Sequence, residues 1–314
     1  MLLSIGDQVK PGTYRFHSCF TRVVNFEHHG CLLAVVDESI GPGPLNIVLR
    51  DVRAGAQPLG CRIPEFSTCP SKPDVAPRPI SPQPKGCAPA LPAIPALTER
   101  LPLLITSRSI LFDGHRYHFT RRHRYDSTLA LPAIDLTRFQ HNLSAFGELL
   151  REAAPPKSLA FLLDSKRRRN FRTGFNEAFA EQITRGTRHI FQGRLLQGVR
   201  QLKGCGLGLT PAGDDFIAGL LIGLHLLQML RGRDLQPTVD AVFRAARGKN
   251  IFSNTFLDLA RRGLHFGHMK DLLLALTSGS KASVRRAGRK LLSVGETSGA
   301  DLATGLFLTL QSSL

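Results

Sequence analysis

The sequence predicts an α+β protein, with a β-rich domain over residues 1–130 and a helical domain over 131–314. Three observations carry that reading. Short runs of β-branched and aromatic residues, broken by turn signals, fill the first 60 or so residues. Apolar positions recur at helical spacing from Asp135 onward. Between them, residues 62–102 hold more than half of the chain's 20 prolines and almost no apolar periodicity, the pattern of an extended insertion without a core.

Taken in order, Ser18–Phe26 and Gly30–Val36 are strand-like runs separated by Glu27-His28-His29-Gly30. Gly41-Pro42-Gly43-Pro44 follows, stiff at the prolines and free at the glycines, and sets an unusual path into the next strand. It suits a plain turn as well as a ligand loop. Strand signals resume at Leu104–Thr106 and Ser109–Phe112. Asp113-Gly114 is a hairpin turn before His115–Phe119. His115, His118 and His123 invite a metal reading, but on a strand 115 and 118 face opposite ways.

Asp135 caps a helix from Leu136 to Ala153, which Pro155-Pro156 ends. Further helices fit 175–190, 193–203, 211–231, 237–247, 252–263, 268–277, 281–293 and 299–311. The run Phe216–Leu230 is short for a membrane span and is headed by two aspartates, so it reads as a buried helix.

A net charge of +17 and a pI near 10.4 favour acidic partners, with a small anionic metabolite first among them. The basic residues are scattered apart from 121–124 and 166–169. With no tryptophan and three tyrosines, nucleic-acid binding by base stacking is disfavoured. The six cysteines show no C-x-x-C or zinc spacing and no export signal is evident, so a cytoplasmic protein with reduced thiols is expected.

The stretch most suggestive of chemistry is 204–224. Gly204, Gly206 and Gly208 permit backbone conformations closed to other residues, Thr210 suits an N-cap, and Pro211 suits the first helical position. A loop running into a positive helix end is a ready anion site, with Gly206, Gly208, Thr210 and Gly213 as candidate ligands. Asp214 and Asp215 suit the helix dipole but would repel an anion unless a proton or cation intervened. They are the candidate catalytic acids, and Mg²⁺ is compatible with them though not required. The bland alternative is a tight turn and a capped core helix, in which Gly219 and Gly223 permit close backbone approach. The pattern Gly-x-Asp-x-x-x-Gly recurs as Gly299, Asp301 and Gly305. Ser298 is placed to cap that helix and Asp301 to complete a capping box. Ser253 and Asn254 begin another helix, where capping is the simpler role.

Gly206–Gly219, Gly41–Ile47 and Thr297-Ser298-Gly299-x-Asp301 together resemble the AllH-like family, named for a subunit of oxamate carbamoyltransferase from allantoin breakdown. The resemblance implies a subunit of a multi-protein enzyme that cleaves oxalurate with phosphate to give oxamate and carbamoyl phosphate. The residues themselves offer a compatible candidate site: Asp214, Asp215 and Asp301 as acids, with Gly206, Gly208, Thr210, Gly213, Asn46, Ser298 and Gly299 holding substrate or phosphate, and Asp214 or Asp215 either orienting the ureido nitrogens or holding Mg²⁺. Arg194, Arg200 and Lys203 are basic enough to assist with phosphate. The runner-up is a non-catalytic scaffold subunit of a metabolic complex.

Overall fold

The computed structural model describes residues 1–50, 102–172 and 174–313. The proline-rich stretch expected over 62–102 lies, but for its last residue, outside the described residues, as do Cys61, Cys69 and Cys87. Among the described residues an N-terminal mixed sheet precedes a helical body, the α+β arrangement the sequence predicts.

The strands are β1 (Leu2–Gly6), β2 (Gly12–Phe20), β3 (Val23–His28), β4 (Cys31–Asp37), β5 (Asn46–Leu49), β6 (Leu103–Ile105), β7 (Ser109–Phe112), β8 (His115–His118) and β9 (Arg124–Tyr125). Their order across the sheet is β8-β7-β6-β2-β3-β4-β5-β1-β9. β4 pairs in parallel with β5, and β1 with β9; the other neighbours are antiparallel. The strand expected over 18–26 is in fact two, because the chain turns at Thr21-Arg22. His29 and Gly30 both take positive φ, the two-residue reversal that matches strand twist. Ile5, Phe26, Val35, Ile47, Leu103 and Ile110 form the sheet's own apolar core.

The helices are α1 (Leu136–Ala153), α2 (Gly174–Phe191), α3 (Leu195–Leu202), α4 (Ala212–Arg231), α5 (Gln236–Ala246), α6 (Ile251–Arg261), α7 (Gly267–Ser278), α8 (Lys281–Leu292) and α9 (Ser298–Gln311). Each expected helix is present to within two residues at either end. Asp135 caps α1 as its sequence position suggests, accepting from the N–H groups of Thr137 and Arg138. α4 is long and apolar enough to span a membrane by length and composition, yet 72% of its apolar window is buried among the other helices. Phe139, Phe146, Leu149, Phe216, Leu221 and Leu306 are among the core around it.

Several hydrogen bonds tie the sheet and its loops together and to the helices. Asp7 Oδ2 accepts from the N–H (3.1 Å) and hydroxyl (2.8 Å) of Ser127. The Tyr125 hydroxyl donates to the His265 carbonyl, and the Gly267 N–H to the Pro42 carbonyl. The Gly-Pro-Gly-Pro loop is therefore a docking element for the start of α7. Asn46 serves the same loop by donating from Nδ2 to the Gly41 carbonyl at 3.1 Å.

Candidate functional site

α4 and α9 pack against each other through glycine. A methyl group placed on Gly219 would overlap the Leu302 carbonyl oxygen, and one on Gly305 would overlap that of Phe216. These contacts are mirror equivalents. In the aligned motif Gly219 matches Gly305 and Phe216 matches Leu302. The equivalence extends to the helix starts, where the Asp215 N–H donates to Pro211 and the Asp301 N–H to Thr297. The sequence echo is thus a local two-fold, and its axis brings Asp215 and Asp301 into electrostatic contact.

Both acids lie beneath the surface. Asp301 is 0% exposed and Asp215 is 7% exposed. Burial, then the neighbouring Asp301 charge, holds the Asp215 carboxyl well above the ordinary carboxylate range. Burial likewise pushes Asp301 up to about 7, opposed by the Leu159 N–H and the Thr297 hydroxyl. The Leu159 N–H donates to Asp301 Oδ1 at 2.6 Å, whereas Oδ2 is buried with no hydrogen-bond partner among the described residues. Near neutral pH the pair retains a proton that two separate carboxyls would have lost.

Two hydroxyls stand between these acids and the outside. Thr210 Oγ1 donates to Asp215 Oδ2 at 3.1 Å and lies 3.3 Å from Ser298 Oγ, and the Ser298 hydroxyl also bonds Asp215. Both residues are half-buried. This corrects the sequence expectation of capping. Pro211 and Thr297 occupy the two N-cap positions without side-chain caps, proline having no group to offer and the Thr297 hydroxyl turning to Asp301, while the hydroxyls of Thr210 and Ser298 bond Asp215. Asp301 forms no capping box with Ser298, since Oδ1 is taken by Leu159, a residue distant in sequence.

Asp214 has a different partner, although its charge also helps to raise Asp215. Its Oδ1 accepts from the Gly204 N–H at 2.8 Å, which pins the entry of the glycine loop. Gly206 and Gly208 have φ of 117° and 102°, in the region that favours glycine. Gly213 lies against the Leu202 carbonyl and Gly299 against that of Leu291, so both are packing glycines. Asp214→Ala should cost about 1–2 kcal/mol and speed amide exchange at Gly204, read by hydrogen-exchange mass spectrometry. Unchanged exchange there would show that the loop is not held by this bond.

α6 also starts at this loop. Asn250, its N-cap, accepts from Phe252 and Ser253 and donates from Nδ2 to the Leu209 carbonyl at 2.7 Å. The sequence reading missed Asn250, although its place before an apolar helix was a visible capping signal. It missed Leu159 as well, since a backbone N–H from a distant turn leaves no sequence signal, and it quoted Thr297 within the second motif without giving it a role. Asn254 brackets Gly248 with two hydrogen bonds, and Ser253 is buried. Asn46, tied to Gly41, does not join the cluster. Among the described residues no three His, Cys, Asp or Glu side chains gather as a metal set, so the carboxylate pair has only hydroxyl and N–H partners. Cys205 is buried, its thiol pushed up to about 11 by desolvation and the Asp214 charge, which disfavours the thiolate.

Residues 202–310 match the family model described as oxamate carbamoyltransferase subunit AllH. That stretch, about a third of the chain, is similar to AllH. The match runs from the end of α3 almost to the end of α9, and it contains the glycine loop, both aspartate motifs and all the helices between them. The AllH model is that of a subunit, so the likeness is to one component of a carbamoyltransferase. No curated protein and no solved structure matches the chain.

Proposed function

We propose that this AllH-like chain is a working subunit of a carbamoyltransferase complex that handles a small anionic ureido or amide substrate. By the family likeness the reaction is oxalurate plus phosphate to oxamate and carbamoyl phosphate. The observation carrying this reading is the layered cluster at the start of α4 and α9: a buried proton-holding acid pair, two half-buried hydroxyls bonded to it, and an exposed glycine loop above.

Attack of phosphate oxygen on the ureido carbonyl generates an oxyanion, and expulsion of oxamate requires a proton on its nitrogen. Helix N-termini and loop amides favour the first charge. A carboxyl pair that holds a proton near neutrality, wired to Thr210 and Ser298, suits delivery of the second. The substrate would meet the hydroxyls, so Thr210 and Ser298 are the contacting groups. Asp215 and Asp301 then act through them as positioning and proton-holding residues, not as acids touching the substrate. Asp214 keeps the loop in place.

The test is carbamoyl transfer between carbamoyl phosphate and oxamate by the chain together with its co-purified partners. Thr210→Val with Ser298→Ala should lower the rate about 100-fold, within the range for lost general acid–base help. If the complex is active and the double variant keeps its full rate, the site assignment fails. A second reading, a non-catalytic scaffold, is favoured by one observation: Leu207 and Leu209 are 81% and 44% exposed on the same loop, apolar surface suited to a partner subunit.

A further inference from the structure

α3 and α5 flank an open cleft of about 370 Å³. Leu196, Arg200 and Lys203 line it from α3 and its cap, and Ala241, Arg244 and Ala245 from α5. These spacings of four, seven, three and four residues put each set on one helix face. The floor is apolar and the mouth carries three cations. No acid lines it among the described residues, and none of the three cations forms an ion pair there. The carboxylate on α5, Asp240, forms its ion pair with Arg261 at 3.2 Å and feels the Arg244 charge only at longer range.

Cations in the last turns of α3 and α5 partly serve the helix dipoles. That role does not need them to face one another across a hollow, where like charges repel until an anion enters. The Lys203 stem is also held in place. It lies against the backbone at Gly248, where an added methyl would come within 3.3 Å of Cε.

We infer that this cleft is a binding site for a small phosphate dianion, free or carried on a compact organic group, gripped by Arg200, Lys203 and Arg244. Two guanidinium forks and an ammonium are the donor set such a group recruits. The Leu196–Ala241–Ala245 floor accepts the carbon part of a phosphomonoester. The inference goes beyond the carbamoyl-transfer reading and stands if that reading fails, because it is tested by binding alone.

Calorimetric titration of the full chain at fixed ionic strength, with inorganic phosphate and separately with methyl phosphate, decides it. Both should bind at one saturable site, methyl phosphate at least as tightly as phosphate. Arg200→Ser with Arg244→Ser should weaken both at least about tenfold. Lys203→Gln, on an exposed side chain that leaves helix packing untouched, should weaken them less. Arg121→Ser with Arg122→Ser removes the same charge elsewhere and should change nothing. The inference is overturned by the absence of saturable binding, by equal losses in the two double variants, or by binding of generic DNA without phosphate binding. Weaker methyl phosphate binding would overturn the role given to the apolar floor.

Discussion

Gly305→Ala, and equally Gly219→Ala, will destabilise the protein by about 3 kcal/mol or more, at the upper end of what overpacking a tight core costs. The added methyl has nowhere to go. It would overlap a backbone carbonyl of the opposite helix, Phe216 in one case and Leu302 in the other, and a carbonyl cannot rotate aside as a flexible side chain can. Relief requires α4 and α9 to separate, which opens a core containing Phe216, Leu221, Leu306 and Phe307. Urea unfolding monitored by circular dichroism measures the loss. Gly208→Ala is the control, since nothing lies within 4 Å of its added methyl and only its φ of 102° opposes the change. Its cost should be about 1–2 kcal/mol. If Gly305→Ala costs no more than Gly208→Ala, the helix pair is not held by glycine contact.

The second large effect is pH dependence. Asp301 has a folded value of about 7 against an ordinary 3.8, so between these limits the folded chain binds more protons than the unfolded one. Stability is then greatest below pH 4 as far as this group is concerned, and it falls as pH rises through 7. A shift of one pKa unit is about 1.4 kcal/mol, which makes the ionisation penalty at pH 8 on the order of 4 kcal/mol. Asp215, also raised, adds to the same slope. Asp301→Asn keeps an oxygen for the Leu159 N–H and offers the amide to Asp215, while removing the titration. The variant should therefore show a flatter stability profile between pH 4 and 8 and exceed the natural protein in urea midpoint at pH 8. A slope identical to that of the natural protein would mean that Asp301 is already ionised in the folded chain.

These two effects have one origin. The glycines that let α4 and α9 touch also draw two helix starts so close that their acids share a dry space. An α4–α9 pair without glycine would stand further apart and admit water, and Asp215 would titrate as an ordinary carboxyl. The bland alternative, a core helix with glycines for close approach, is therefore part of the answer. α4 is a core helix, and its packing is what creates the acid pair.

The helices were legible because their apolar periodicity is long and their stops are prolines and glycines. Asp135 was legible as a cap because capping is local chemistry. The division at 21–22 was not, since residues 18–26 are strand-forming throughout and only pairing to β3 and β4 reveals the turn. Thr210 and Ser298 were picked out as polar residues at helix starts, but their role was misread. Local rules send such hydroxyls to backbone N–H groups, while here a buried carboxylate competes for them and wins.

The sequence by itself determined the β-then-α order, the helices, the glycine loop and the doubled Gly-x-Asp-x-x-x-Gly pattern, because each depends on residues close together along the chain, whereas β1, β9 and the start of β2 were not read from it. Only the tertiary structure decided that Asp215 is bonded by Thr210 and Ser298, Asp301 by the Leu159 N–H, and Asp214 by the Gly204 N–H. It also decided that Asn46 belongs to a docking loop, and that Arg200, Lys203 and Arg244 face one hollow. Each depends on which helix faces pack together, a choice made by burial of apolar surface and glycine contact across the whole helical body rather than by any local rule.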